Sequence, residues 1–288
     1  MSAPEAAQPY AATGRAMPLL RAPAETLATL SWAFLASTLH RIRRGEGALL
    51  AVNLSLIATT GTSAARAAAQ ALVSTLAVVA MYAFNDLFDA PADRNNPKKD
   101  RALIATYMTH RRLALVAALV MKVGTVLVCL ASLGPRAAAA VTGVMIVNVL
   151  YSAALKGVPV VDIAWVWLWG ALYAAVTDAP ASLLVVVGLM TAVCHLFQAL
   201  GDRGPDTANG IRTTAVESSA LTRYVVIVLS LLLFVSLRDA VGMGIALTAF
   251  TPLAIFFVTR TPATGWIATK VYFAFIWLYL LGNVGAAG

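Results

Sequence analysis

Charge is what this sequence has least of. Asp, Glu, Lys and Arg make up 12% of its 288 residues and hydrophobic residues 60%, whereas soluble domains carry about 25% charged residues. Such a chain has too little polar surface to cover itself in water, which excludes an ordinary soluble enzyme and makes a bilayer the fitting solvent. The period-two alternation of barrel strands is lacking as well. The apolar runs are instead close to ~20 residues, the length of a helix across the hydrocarbon. Cysteine is nearly absent: Cys129 and Cys194 both lie inside apolar runs and read as small buried hydrophobes, not as a disulfide framework or a metal pair. No apolar core with a cleavage site follows a basic start, so residues 1–24, rich in Ala and Pro, are expected to be a poorly ordered tail and not a signal peptide.

What is there is a succession of apolar segments at 47–63, 66–86, 112–131, 137–154, 160–177, 181–200, 222–238, 240–258 and 266–284. They predict an all-α, polytopic membrane protein with nine transmembrane helices, the first of them interrupted by Asn53, Ser55 and several Thr. Ahead of this domain (47–288) lies a segment at 25–46, whose residues 25–44 are expected to form an interfacial helix ending in Arg41, Arg43 and Arg44.

The net charge of +8 raises the question of nucleic acid, and its distribution answers it. With nine spans and the N-terminus inside, 17 of the 21 Lys and Arg fall on one side, against Arg66, Arg136 and Arg238 on the other. That bias is the positive-inside signal of an inner-membrane topology, not a nucleic-acid footprint, and no nucleic acid is expected as a partner. Lys122 alone lies mid-span, where an ionised side chain is expensive and functional by default. If the source is bacterial, the membrane is the plasma membrane. The two long loops, 87–111 and 201–221, are both on the inner side, so function is expected on the cytoplasmic face.

The first of these loops begins "NDLFDAPADRNNPKKDR". Asp86, Asp89 and Asp93 follow i, i+3, i+7 and so share one helix face, with Asn85 beside it. Three carboxylates within two turns repel one another, and a cation would make the arrangement tolerable. Mg²⁺ suits it, being held by oxygen ligands together with substrate phosphates. Taken alone, the run is also what a solvated helix end looks like. The second loop, "QALGDRGPDTANGIRTT", supplies Asp202 and Asp206 on the same side of the membrane. His195, Gln198, Asp202 and Asp206 would share a face if the helix continued through Gly204-Pro205. Two acidic clusters on one face, each beside basic residues, point to metal-assisted diphosphate chemistry, with carboxylates holding metal and Lys or Arg gripping phosphate oxygens.

These residues resemble the signatures of the UbiA superfamily of intramembrane prenyltransferases. Asn85, Asp86, Asp89 and Asp93 match its N-D-x-x-D-x-x-x-D run, and Asp202 and Asp206 its D-x-x-x-D run, followed by "GIRT" (Gly210, Thr213). "YSAALKGVPVVD", with Tyr151, Ser152, Lys156, Pro159 and Asp162, resembles a third family stretch. The resemblance covers roughly residues 45 to 285. It implies a bundle around a central cavity, closed by cytoplasmic cap loops, in which Mg²⁺ on the five aspartates binds an isoprenoid diphosphate. The diphosphate leaves to give an allylic cation, and a small aromatic or lipidic acceptor captures it, the prenyl tail running among membrane lipid. Asn85, Arg94, Lys99, Arg101, Tyr151, Lys156, Gln198 and Arg212 are the expected substrate-binding residues. The chain departs from the family where the basic loop reads "KKDRALIATYM", with Ala102 in place of a proline.

Other residues carry weaker expectations. Trp165 and Trp169, one turn apart, are candidates to steady a cation, though Trp at membrane depth commonly packs or anchors. Asn53 reads as helix-to-helix glue, and His195 as a satisfied buried histidine. Within the fold, terpene cyclisation and phosphoribosyl transfer to a polyprenyl phosphate are alternatives. Outside it, an ion-coupled transporter is the rival, disfavoured because its charges would lie near the midplane.

Overall fold

The computed structural model describes residues 24–43, 46–94 and 99–286. The expected tail, Arg44 and Lys98 lie outside the described residues, Ala24 excepted. Among those described, every regular element is helical. Helix α1 (Ala24–Arg43) leads into α2 (Ala48–Thr59) and the long α3 (Ala64–Asp93). Then come α4 (Arg101–Thr109), α5 (Arg111–Leu133) and α6 (Pro135–Leu150), which a π-helical turn extends through Tyr151–Leu155. The second half is α7 (Val161–Ala174), α8 (Ala181–Ala208), α9 (Thr214–Glu217), α10 (Ser219–Val241), α11 (Met243–Leu247), α12 (Thr251–Thr259) and α13 (Pro262–Ala286).

Local chemistry sets the element boundaries. Side chains of Ser63, Asp100, Thr213 and Ser218 each accept a hydrogen bond from a first-turn backbone N–H of α3, α4, α9 and α10, as N-caps do. Gly134, at φ 89, turns the chain sharply from α5 into α6, a conformation closed to most side chains.

Six helical stretches are long and apolar enough to cross a membrane: Ala64–Asp93, Arg111–Leu133, Pro135–Leu155, Ala181–Ala208, Ser219–Asp239 and Pro262–Leu280. The other three expected spans are shorter. α2 has 12 residues, which at ~1.5 Å per residue falls well short of a ~30 Å hydrocarbon core. The run at 160–177 is α7 plus a 3-10 turn, and that at 240–258 breaks at Gly242 (φ 78) and again before Pro252.

Outward faces are apolar, as lipid contact requires: Val120, Val123 and Leu127 on α5 and Leu278 on α13 are all exposed. Inside, four apolar clusters join the helices. One ties α1 to α3, α4 and α5 through Leu30, Phe34, Phe84, Leu87 and Tyr107; another ties α7, α8, α10 and α12 through Ile163, Phe197, Val226 and Phe256. Helices α7 and α8 touch through glycine. A Cβ on Gly170 would lie 2.4 Å from Thr191 Oγ1, and one on Gly188 2.8 Å from the Trp167 carbonyl oxygen. Asn53 is glue of the expected kind, its amide donating to the Tyr173 carbonyl (2.9 Å) and to Ser74 Oγ (3.1 Å).

Candidate active site

The site forms where α3, α6 and α8 end together. α3 stays helical through Pro91 to Asp93, and α8 through Gly204-Pro205 to Ala208. Each proline stands in the last turns, where its missing N–H interrupts a single i→i−4 bond. The doubtful continuation of α8 is thus resolved in favour of helix, and His195, Gln198, Asp202 and Asp206 lie on one element.

α6 runs alongside α3 and meets it at four-residue intervals. Asn148 Nδ2 and Ser152 Oγ donate to Asn85 Oδ1, at 2.7 and 2.5 Å. One turn on, Lys156 Nζ donates to Asp89 Oδ1 at 2.7 Å. The π-helical turn between them closes with Lys156 N donating to the Tyr151 carbonyl at 2.9 Å, an i→i−5 bond of a kind that recurs at functional sites.

Lys156 is where the two acidic runs meet. Burial works against its charge, yet Asp89, helped by Asp206 and Asp93, outweighs that and lifts its pKa above the ordinary lysine value. Asp206 is likewise within electrostatic reach of Asp202, Asp89 and Asp93. Tyr151, buried, faces Asp89, Asp162, Asp206 and Asp202, and its ring meets His195 edge-on at 6.2 Å. His195 Nε2 is buried with no hydrogen-bond partner among the described residues, unlike the satisfied histidine expected. Asp93 holds Lys99 at 2.8 Å.

Asp86 is paired with α1. Its carboxylate accepts from Ser37 Oγ and from both Nε and Nη2 of Arg41, on α1. Arg41 also holds Glu46 (Nη1–Oε2 2.6 Å) and lies over the Tyr82 ring, 5.0 Å from its centroid. Asp86 is thus held by α1, which packs on the face of α3 that carries it, and it lines one small cavity together with Asp93 and Lys99.

Arg212 is exposed and bound to Glu217 at 2.5 Å. Arg94 and Arg101 are exposed at the ends of α3 and α4, and Gln198 is half-buried on α8. Trp165 and Trp169 use their indole N–H groups in packing, donating to the Val147 carbonyl (2.9 Å) and to Met81 Sδ (2.8 Å).

The start of α7 and the start of α9 are stitched together through Thr214, a residue the sequence did not single out. Thr214 Oγ1 accepts from Val160 N at 2.6 Å and donates to Asp162 Oδ1, while Thr214 N donates to Asp162 Oδ2 at 3.0 Å. Asp162, buried in the first turn of α7, is thus a clasp to the start of α9. Val160 sits at φ 69 to make the connection, a conformation that costs a β-branched residue about 1–3 kcal/mol.

Among the described residues no three His, Cys, Asp or Glu side chains are gathered tightly enough to hold a metal as they stand. The donor chemistry nonetheless fits Mg²⁺. The acids facing Lys156 offer hard carboxylate oxygens from two helix ends, and Asp89 and Asp93 already carry cations, the ammonium groups of Lys156 and Lys99.

Comparison with known proteins gives the same picture. The sequence model of the UbiA prenyltransferase family matches residues 47–279. A lycopene elongase/hydratase of Haloarcula japonica is 34% identical over 147 residues, 48% of this chain and 49% of the relative. The chain thus spans about half the length of the curated relatives it matches. Of solved structures, a UbiA homolog from Archaeoglobus fulgidus bound to DMAPP and Mg²⁺ superposes with a TM-score of 0.63 at 16% identity, covering 85% of this chain and 99% of that one. A digeranylgeranylglyceryl phosphate synthase gives 0.66 at 13% identity, over 90% and 99%. At those identities the likeness establishes a shared fold.

Proposed function

Because the chain belongs to the UbiA prenyltransferase family, we propose that it moves a prenyl group from an isoprenoid diphosphate to a small aromatic or lipidic acceptor by way of an allylic cation. The observation that carries this reading is the meeting of both acidic runs at Lys156, with Asp89, Asp93 and Asp206 all acting on one ammonium. Asp86, Asp89, Asp93, Asp202 and Asp206 are the residues proposed to hold Mg²⁺. Asp86 also ties this end of α3 to Arg41 and Ser37. Bound there, the metal would supply positive charge against the negative charge that grows on the departing diphosphate.

The chain's own residues do the rest. Lys156 and Lys99 are poised to exchange a carboxylate for phosphate oxygens, and Asn85 offers its amide beside them. Arg94, Arg101 and Arg212, exposed around the rim, raise the local concentration of an anionic donor. Tyr151 and His195, one layer deeper, close the floor beneath the diphosphate and keep water from the cation. Six helices are long enough to cross the membrane, and the short apolar runs Ala48–Thr59, Val161–Thr177 and Met243–Thr259 are proposed to complete the nine spans without each bridging the hydrocarbon alone. The Lys and Arg bias supports a cytoplasmic site.

For the acceptor, the relatives' name favours lycopene, a long polyene hydrocarbon, over a phenolic ring. Membranes containing the chain, given dimethylallyl or geranyl diphosphate with Mg²⁺, with and without lycopene, should release diphosphate and yield a prenylated polyene. Asp89→Asn and Asp202→Asn should each abolish the release. Full activity in both variants would overturn the proposal.

A further inference from the structure

The mid-span lysine has a partner in the structure, and the partner leads to the site. Lys122 is 4% exposed. Nζ lies 2.5 Å from Asn148 Oδ1, 3.8 Å from Met145 Sδ and 4.7 Å from the centroid of the Phe84 ring. No carboxylate pairs with it among the described residues. An ammonium in that position is expensive, and the Phe84 ring beneath it offers a cation–π contact.

We propose that Lys122 is a positioning residue for the diphosphate of the donor, acting through Asn148 to set which way the Asn85 amide faces. The argument is one of polarity. An ammonium has three donors and no acceptor, so the atom of Asn148 that meets it must be the oxygen. The NH₂ of Asn148 then has to face Asn85, and it does, donating to Asn85 Oδ1 at 2.7 Å. Asn85 must answer with oxygen, and the Ser152 hydroxyl, at 2.5 Å, takes the second lone pair of that atom. What Asn85 has left is its NH₂ group, two donors on the residue that opens the first acidic run and stands one turn before Asp89.

Two donors suit phosphate oxygens; a carbonyl oxygen there would repel them. Asparagine amides are ambivalent and could run the relay in either direction. A donor-only group at its far end removes the choice. This role rests on the diphosphate reading of the site given above.

The test uses the full chain in detergent or nanodiscs with Mg²⁺. It measures equilibrium binding of geranyl diphosphate, competition by inorganic pyrophosphate, and the midpoint of thermal unfolding. Asn148→Asp is the informative variant, because it keeps a partner for Lys122 yet has no NH₂ to give Asn85. Binding is expected to weaken roughly 10- to 100-fold, the worth of a hydrogen bond to a charged group, while the unfolding midpoint holds. Lys122→Met should weaken binding in the same way, and Lys122→Arg, still donor-only, should restore it. In turnover the loss should appear in KM for the donor more than in kcat.

Asp202→Asn serves as the control for the site itself. If it loses binding while Asn148→Asp binds like the parent, the relay is wrong and the site stands. Should Asp202→Asn also bind like the parent, the site reading falls and takes the relay with it. Loss of binding in Asn148→Asp that merely tracks a collapse of the unfolding midpoint would overturn the positioning role in favour of a structural one.

Discussion

Lys156 Nζ stands 2.7 Å from Asp89 Oδ1, and the same ammonium is acted on by Asp93 from its own side and by Asp206 from the other acidic helix. One cation thus joins two motifs more than a hundred residues apart in the chain. It does so from the end of a π-helical turn, in which Lys156 takes the place above Tyr151 that residue 155 would hold in a regular helix.

Lys156→Met should therefore raise KM for the diphosphate donor roughly 10- to 100-fold, the range for a charge-assisted contact. Steady-state kinetics with geranyl diphosphate would read this, and an unchanged KM would contradict it. The pairing also has a pH signature. Because the folded pKa lies above the ordinary value of 10.5, the pair stabilises fully below that value and is lost as pH rises through the raised one. The difference in unfolding midpoint between parent and Lys156→Met should stay flat from about pH 7 to about pH 9. A titration within that window would place the lysine in a different environment.

Arg41→Ala leaves the Asp86 carboxylate with Ser37 but without its cation, in a site where both side chains are 15% exposed. Removing one partner of such a pair should cost about 2–4 kcal/mol, seen as a lower unfolding midpoint. The double variant Arg41→Ala/Asp86→Ala should recover part of that loss, since the Asp86 carboxylate is then no longer stranded. A double variant less stable than the sum of the two singles would show that the pair is not the unit.

Thr214→Val removes the hydroxyl that both accepts from Val160 and donates to Asp162. With a buried carboxylate deprived of one donor, the expected cost is about 1–3 kcal/mol. Limited proteolysis should open the segment between α8 and α10, 209–218, faster than in the parent. Equal cleavage rates would mean that the backbone bond from Thr214 N suffices.

Gly170→Val tests the close approach of α7 and α8. Its side chain would start 2.4 Å from Thr191 Oγ1, and forcing the helices apart should cost about 1–3 kcal/mol. Thermal unfolding in detergent would read the loss. A stability equal to the parent's would show that this contact yields without strain.

How much of this was legible in the sequence depended on the distance over which each fact is decided. The helical class, the six long spans and the shared face of Asp89 and Asp93 are properties of local periodicity, and they were readable. So was the adhesive role of Asn53. The persistence of α8 through Gly204-Pro205 was not, because helix propensity disfavours both residues and cannot know that a last turn tolerates them. Arg41 was visible only as part of a basic cluster, and its hold on Asp86 is set by how α1 lies across α3. The partner of Lys122 had a signal that could have been followed: Asn148 is the single amide in the mainly apolar run at 137–154. Thr214 had none, since a threonine in a Gly-rich loop looks like any other.

The attachment of α1 has a practical corollary for anyone cutting this gene. The family match begins at residue 47, and an expression boundary drawn there would look conservative. It would pass between a guanidinium and the carboxylate it neutralises, discarding Ser37 and Arg41 while keeping Asp86. A fragment trimmed to the match would present a broken motif, so the preceding helix belongs with the rest of the bundle.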